Sequence, residues 1–284
     1  MIFYHADDYG INPEQSERIL YCNSHGALNS VSIMPNSDHL AETVPLIPET
    51  VSRSIHINLC EGHCVSPADQ VALLVDKNGE FNRSFSELLL MSVVKRKTVF
   101  QQIKTECSGQ INRVMDLTGK NKPVRIDSHR HYHMIPAVFR ALYEITEENG
   151  IEVDYVRWPV EPIALYRKDG IGRLSPVNIV KCAVLWALGK ADSGIRKKWK
   201  QNRKALFCGV LYTGRMFYEN VAPVLDAFKD KAAEEGLDLE VLFHPGGVKE
   251  GEQHISETVG FHAYYESEDR DREGEALIKL GKTV

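Results

Sequence analysis

The chain has 284 residues, with 34 lysines and arginines against 39 aspartates and glutamates, a formal charge of −5 and a pI near 6.1. That acidic balance disfavours a nucleic-acid binder that works by neutralising phosphates, and no run approaches the roughly 20 apolar residues that span a bilayer. A chain of this size buries on the order of three quarters of its unfolded surface, and one catalytic domain over residues 1–284 is the expected organisation.

Ile2 to Ala6 reads as a first strand, and no basic, then apolar, leader precedes it, so no signal peptide is expected. Asn12 is placed to cap a helix that has Pro13 at its first position and ends near Gly26. Ser30 to Met34 is a second strand, followed by a helix from Asp38 to Leu46 that Pro48 closes. Ser54 to Leu59 alternates as a third strand. The polar stretch from there to Phe85 is too long for a simple connection and reads as functional.

Helical periodicity runs from Val93 to Leu117. Pro123 introduces a fourth strand, Val124 to His133, and Pro136 opens a helix that stops at Gly150. Val153 to Trp158 is a fifth strand. Residues 160 to 205 fit the alternation poorly and read as an insertion, with an apolar helix from Val177 to Leu188 and a basic run, Arg196-Lys197-Lys198-Trp199-Lys200. Phe207 to Tyr212 and Leu239 to Phe243 complete the strands, with a helix from Glu219 to Glu235 between them. The charged tail after Tyr264 suggests an exposed helix. Roughly seven strands alternating with helices predict an α/β fold with a parallel sheet.

The polar clusters fall where strands end, the usual place for ligand sites in such sheets. Asp7 and Asp8 are adjacent carboxylates, which repel unless a cation or shared proton compensates them. They could also be plain surface caps. In Asp127-Ser128-His129-Arg130-His131-Tyr132-His133, a period of two puts Asp127, His129, His131 and His133 on one face, a pattern suited to a divalent metal or to a buried polar network. His56, on an apolar strand, and His244, held before Pro245 with flexible glycines beyond, are further candidates. Cys60 and Cys64 around His63 hint weakly at a soft metal. The six cysteines otherwise form no CxxC pair and suit small buried groups in a reducing cytoplasm. No GxSxG, P-loop, GxGxxG or HExxH motif occurs.

These clusters, Ala6-Asp7-Asp8-Tyr9-Gly10, Ile55-His56-Ile57-Asn58-Leu59, Asp127-Ser128-His129-Arg130-His131-Tyr132-His133-Met134 and His244-Pro245-Gly246, resemble in order and kind those of the YdjC-like carbohydrate deacetylases. The resemblance implies a distorted (β/α) barrel that removes an N-acetyl group from an acetylated sugar with a divalent ion, Mg²⁺ by family usage, although Zn²⁺ or Co²⁺ would suit the donors. It implies Asp8, His56 and His129 as metal ligands, Asp7 as catalytic base and His244 as general acid. It also suggests a homodimer. Tyr9 stands where many relatives have Phe, and the 160–205 segment is longer than in shorter relatives. Arg157 and the stretch from Gly209 to Gly214 are expected to touch substrate. A metal-dependent phosphoesterase, another amidohydrolase and a silent sugar-binding barrel are the competing readings.

Overall fold

The computed structural model describes residues 1–167 and 174–282. Seven strands form one parallel sheet: β1 (Ile2–Tyr9), β2 (Ser30–Ile33), β3 (Ser52–Ile57), β4 (Val124–Ser128), β5 (Val153–Val156), β6 (Ala205–Cys208) and β7 (Asp238–Phe243). Their spatial order is β5-β4-β3-β2-β1-β7-β6. The sheet curls into an incomplete barrel, as expected. No strand ladder joins its edge strands β5 and β6 to each other, but the backbone N–H groups of Asn202 and Arg203, just before β6, donate to the carbonyls of Val153 and Asp154 at 3.2 and 2.8 Å.

Helices cover the outside of the sheet, and its strands are largely buried on both faces, with polar residues such as His5, Ser32, His56, Asp127 and Glu240 interleaved among the apolar ones. Chain order gives α1 (Pro13–His25), α2 (Leu40–Thr43), α3 (Phe85–Val94), α4 (Arg96–Thr118), α5 (Pro136–Glu148), α6 (Pro176–Lys198), α7 (Tyr218–Glu235), α8 (Val259–Tyr265) and α9 (Asp269–Gly281). Asn12 caps α1 through a 2.7 Å bond from the Gln15 N–H, with Pro13 in the first turn. The helix expected from Val93 to Leu117 is α4, and a separate helix, α3, precedes it. A capping box between Ser84 and Glu87 opens α3, and Lys95 leaves helical geometry before α4 begins.

The long stretch after β3 is anchored rather than loose. The Glu106 carboxylate on α4 accepts the backbone N–H groups of Val65 and Ser66, both at 2.9 Å, and Val71, Leu74, Val75 and Phe81 are buried under it.

The tail is not an exposed helix. Helix α9 packs against α1 and α7, and it buries Arg270, Glu273, Ala276, Leu277 and Leu280. Its charged lettering misleads because Arg270 and Glu273 pair with each other at 3.2 Å, inside the protein. Strand β4 ends at Ser128, five residues earlier than alternation suggested, and that difference reshapes the site.

Candidate active site

Asp7 and Asp8 are consecutive on β1, where a regular strand would send them to opposite faces. Asp8 instead adopts a left-handed backbone, φ 64°, which Asp tolerates better than most residues. The register with β2 shifts between Ala6 and Tyr9, and both carboxylates reach one cavity of about 780 Å³, which His129, His131 and His244 also line. Asp7 and Asp8 stand near the end of β1, and the histidines follow β4 and β7, so the cavity lies at the carboxyl ends of the strands.

His56 and His129 both bear on Asp8. Its Oδ1 lies 3.0 Å from His56 Nε2 and 2.8 Å from His129 Nδ1. An octahedral ion with ligands at about 2.1 Å separates neighbouring donors by about 3 Å, so the spacing fits. The buried His56 Nε2, the ring atom that faces Asp8, makes no hydrogen bond, a costly state that coordination would relieve. Behind the site, Asp127 Oδ1 holds His56 Nδ1 at 2.6 Å, the carboxylate support that orients metal-binding imidazoles. Burial by itself would lower the pKa of His56, but the charges of Asp7 and Asp127 raise it to about 10. The position therefore favours positive charge, which a cation can supply in place of the proton. Asp8, His56 and His129 could hold a divalent ion.

Asp7 is held differently. Arg157 donates to both its oxygens at 2.8 Å, reaches Asp127 Oδ2 at 3.1 Å and donates through Nε to Glu240 at 2.6 Å. Burial opposes the Asp7 charge, yet Arg157 and His56 keep its carboxyl well below the usual carboxylate range. Arg157, expected to contact substrate, is fully buried behind Asp7 and cannot reach a ligand. It is the counter-charge of three acids.

His244 follows β7, and its Nε2 lies 4.0 Å from Asp7 and 3.9 Å from Asp8. Its backbone N–H donates to Glu273 at 2.5 Å, and its ring meets Tyr264 edge-on at 5.7 Å. Burial lowers its pKa, against the opposing charges of Asp8, Glu273 and Asp7. The glycines after Pro245 serve packing rather than flexibility. At Gly246, with φ +75°, a Cβ would sit 2.8 Å from the Gln15 carbonyl oxygen and 2.9 Å from Ile19. Gly246→Ala should therefore cost about 1–3 kcal/mol of stability, read as a lower urea midpoint.

The histidine run does not share one face. His129 opens a short 3₁₀ turn in which Arg130 and His131 are left-handed, with φ 49° and 59°. His129 turns toward Asp8, and His131 enters the cavity. His133 folds inward, its Nδ1 2.5 Å from Ser128 Oγ and its Nε2 3.0 Å from the Arg157 carbonyl. His131 and His133 thus lie outside the cluster of Asp8, His56 and His129.

Val210 and Thr213, from the expected Gly209–Gly214 stretch, do line the cavity. Their loop is tied down by Glu161, whose carboxylate accepts the N–H groups of Gly209, Val210 and Leu211. Cys60 and Cys64 form no metal cluster among the described residues, and burial pushes the Cys60 thiol up to about 12.

Sequence reasoning placed His5 in a polar cluster without giving it a role, and it missed Tyr265 and Glu273. His5 hydrogen-bonds Ser30 and Ser32 under the Asp7–Asp127 pair, and its place in His5-Ala6-Asp7-Asp8 was the available signal. Tyr265 donates its hydroxyl to Asp8 Oδ2, and nothing in the tail marked it.

The chain is 27% identical over 256 residues to a carbohydrate deacetylase of Mus musculus, covering 85% of this chain and 76% of that protein. It is 29% identical to a carbohydrate deacetylase of Danio rerio, over 55% of this chain and 49% of the relative. A chitooligosaccharide deacetylase of Enterobacter sp. (strain 638) is 26% identical over 53% of this chain and 57% of its own. The chain thus spans about half the length of the latter two. A solved structure from Enterococcus faecalis V583, named for cellobiose-phosphate cleavage, shares the fold with a TM-score of 0.65 at 18% identity, covering 99% of this chain and 92% of that one. The YdjC-like protein family model matches residues 1–280, and the chain belongs to that family.

Proposed function

We propose that this protein is a metal-dependent carbohydrate deacetylase that hydrolyses the N-acetyl group of an acetylated sugar and releases acetate. The convergence of Asp8, His56 and His129 beside Asp7 and His244 in one cavity carries the reading. The names of the relatives support the substrate class. Asp8, His56 and His129 are the ligands in this reading, with Mg²⁺ as the ion. A bound divalent ion lowers the pKa of water and polarises the acetamide carbonyl.

The chain's own residues move the protons. Asp7, kept ionised and oriented by the Arg157 clamp, accepts the proton of the attacking water. His244, within 4.0 Å of Asp7, passes a proton to the departing sugar nitrogen, which leaves poorly as an anion. Arg130, on the cavity wall and paired with Glu61 at 2.8 Å, is placed to meet sugar hydroxyls. The six free cysteines support a cytoplasmic setting.

An acetate assay on N-acetylglucosamine oligomers with added Mg²⁺, run beside elemental analysis, tests the reading. Acetate release is expected. Phosphate release from phosphosugars without acetate would overturn it. His129→Ala should lose the bound ion as well as turnover, and a full complement of metal in that variant would remove His129 from the ligand set.

A further inference from the structure

Two helices wall the active-site cavity. Helix α6 lines it with Val177, Val180 and Val184, and α8 lines it with Gly260, Tyr264 and Tyr265. Helix α8 has seven residues, too few to be stable by itself, and it ends on the tyrosine that donates to Asp8. The same helix takes part in a second group of ligand-type side chains, His254, His262 and Glu266, in which one donor atom of each lies within 4.8 Å of the other two.

His262 and Glu266 are four residues apart, so a helix turns both to one face, and His254 comes to them from the segment between β7 and α8. Glu266 Oε1 lies 3.2 Å from His254 Nε2 and 3.4 Å from His262 Nδ1. Donors held at about 2.0–2.1 Å around a tetrahedral zinc ion stand about 3.3 Å apart. The two imidazole rings stack at 3.7 Å, 16° from parallel, and each presents a nitrogen to the same carboxylate oxygen.

The hydrogen bonds fix one tautomer. His262 Nε2 lies 3.1 Å from the Ser256 carbonyl, which can only accept, so Nε2 carries a proton. Nδ1 of the neutral ring then turns a lone pair toward Glu266, two acceptors that a cation between them reconciles. A backbone carbonyl on the far nitrogen is also the support that orients metal-bound imidazoles. His254 has a side chain only 7% exposed and an Nδ1 that makes no hydrogen bond. Glu266 is its polar partner among the described residues.

We propose that His254, His262 and Glu266 form a second metal site, separate from Asp8, His56 and His129, which takes Zn²⁺ through two imidazoles and one carboxylate. Glu266 is half-exposed, which leaves room for water at the fourth position. The ion ties the segment before α8 to the end of that helix. Phe261, fully buried, stands between the two sites, its ring 6.5 Å from His129 and 5.9 Å from His254. The clamp therefore steadies the wall that carries Tyr264 and Tyr265, and it stands whether or not the cavity deacetylates sugars.

The test strips the full-length protein with a chelator, equilibrates it with Zn²⁺, removes free ion by desalting and counts zinc per chain by elemental analysis. His262→Ala is expected to hold one ion fewer than wild type. At free Zn²⁺ about 100 times the dissociation constant of the site, the zinc-induced rise in melting temperature should be about 4 °C smaller in the variant. In chelator the two chains should melt together. If His262→Ala fails to fold, Glu266→Gln gives the same comparison at a half-exposed side chain. Equal zinc content in wild type and variant would overturn the site. So would a lost ion that leaves the zinc-induced rise unchanged, because an ion bound only by the folded chain must stabilise it.

Discussion

Asp7→Asn should lower acetate release by about 10²–10⁴-fold, the range for loss of a positioned proton acceptor, while the bound metal stays at wild-type stoichiometry. The amide keeps the size of the side chain and can still accept one hydrogen bond from Arg157, so the fold is retained. Asp7 touches His5 at 3.2 Å and Arg157 at 2.8 Å, whereas the three proposed ligand residues are centred on Asp8. Elemental analysis and the acetate assay together therefore separate proton transfer from metal binding. Near-normal turnover would move the base elsewhere in the cavity, with His244 the next candidate.

The largest effect on stability should come from Arg157→Met. That side chain is fully buried and faces Asp7, Asp127 and Glu240. Its removal leaves three carboxylates in the interior without their counter-charge, a change that typically costs about 3–5 kcal/mol. Chemical unfolding should show the loss at pH 7, and retention of wild-type stability would mean that these acids are neutralised by other means.

The pH dependence carries a sign. In the wild-type protein burial disfavours the charged acids, but Arg157 and His56 bring Asp127 down to about 2 and Asp7 well below its ordinary value. Their contribution is therefore fully present above the unfolded carboxylate range near 4 and is lost as the pH falls toward 2. Without Arg157 the desolvated carboxylates shift upward instead. The folded variant then binds protons more readily than the unfolded chain, and its deficit should narrow on mild acidification.

Much of this molecule is legible in its sequence, and the failures share a cause. The seven strands and the capping of α1 follow from apolar runs and from Asn12-Pro13, signals that act over a few neighbouring residues. The convergence on Asp8 also shows through, because strand ends in a parallel sheet collect on one side. The histidine run was misread because alternation presumes extended backbone, and Arg130 and His131 turn left-handed directly after β4. Once that happens, every second residue no longer points the same way. Arg157 looked like a ligand contact because an arginine at a strand end usually faces solvent; only the fold brings Glu240 and Asp127 against it. Tyr265 and Glu273 were hidden for the same reason, since their partners lie more than 25 residues away in the chain.

The seam between β5 and β6, closed by Gln201, Asn202 and Arg203 rather than by a strand ladder, has a consequence for how such enzymes diversify. The connection that carries α6 leaves and re-enters the sheet at this seam, so it can lengthen, shorten or change its polarity without breaking a single strand ladder. The chemistry sits on strands that must stay where they are. Selectivity for what is attached to the sugar can therefore drift independently, by replacement of one removable wall.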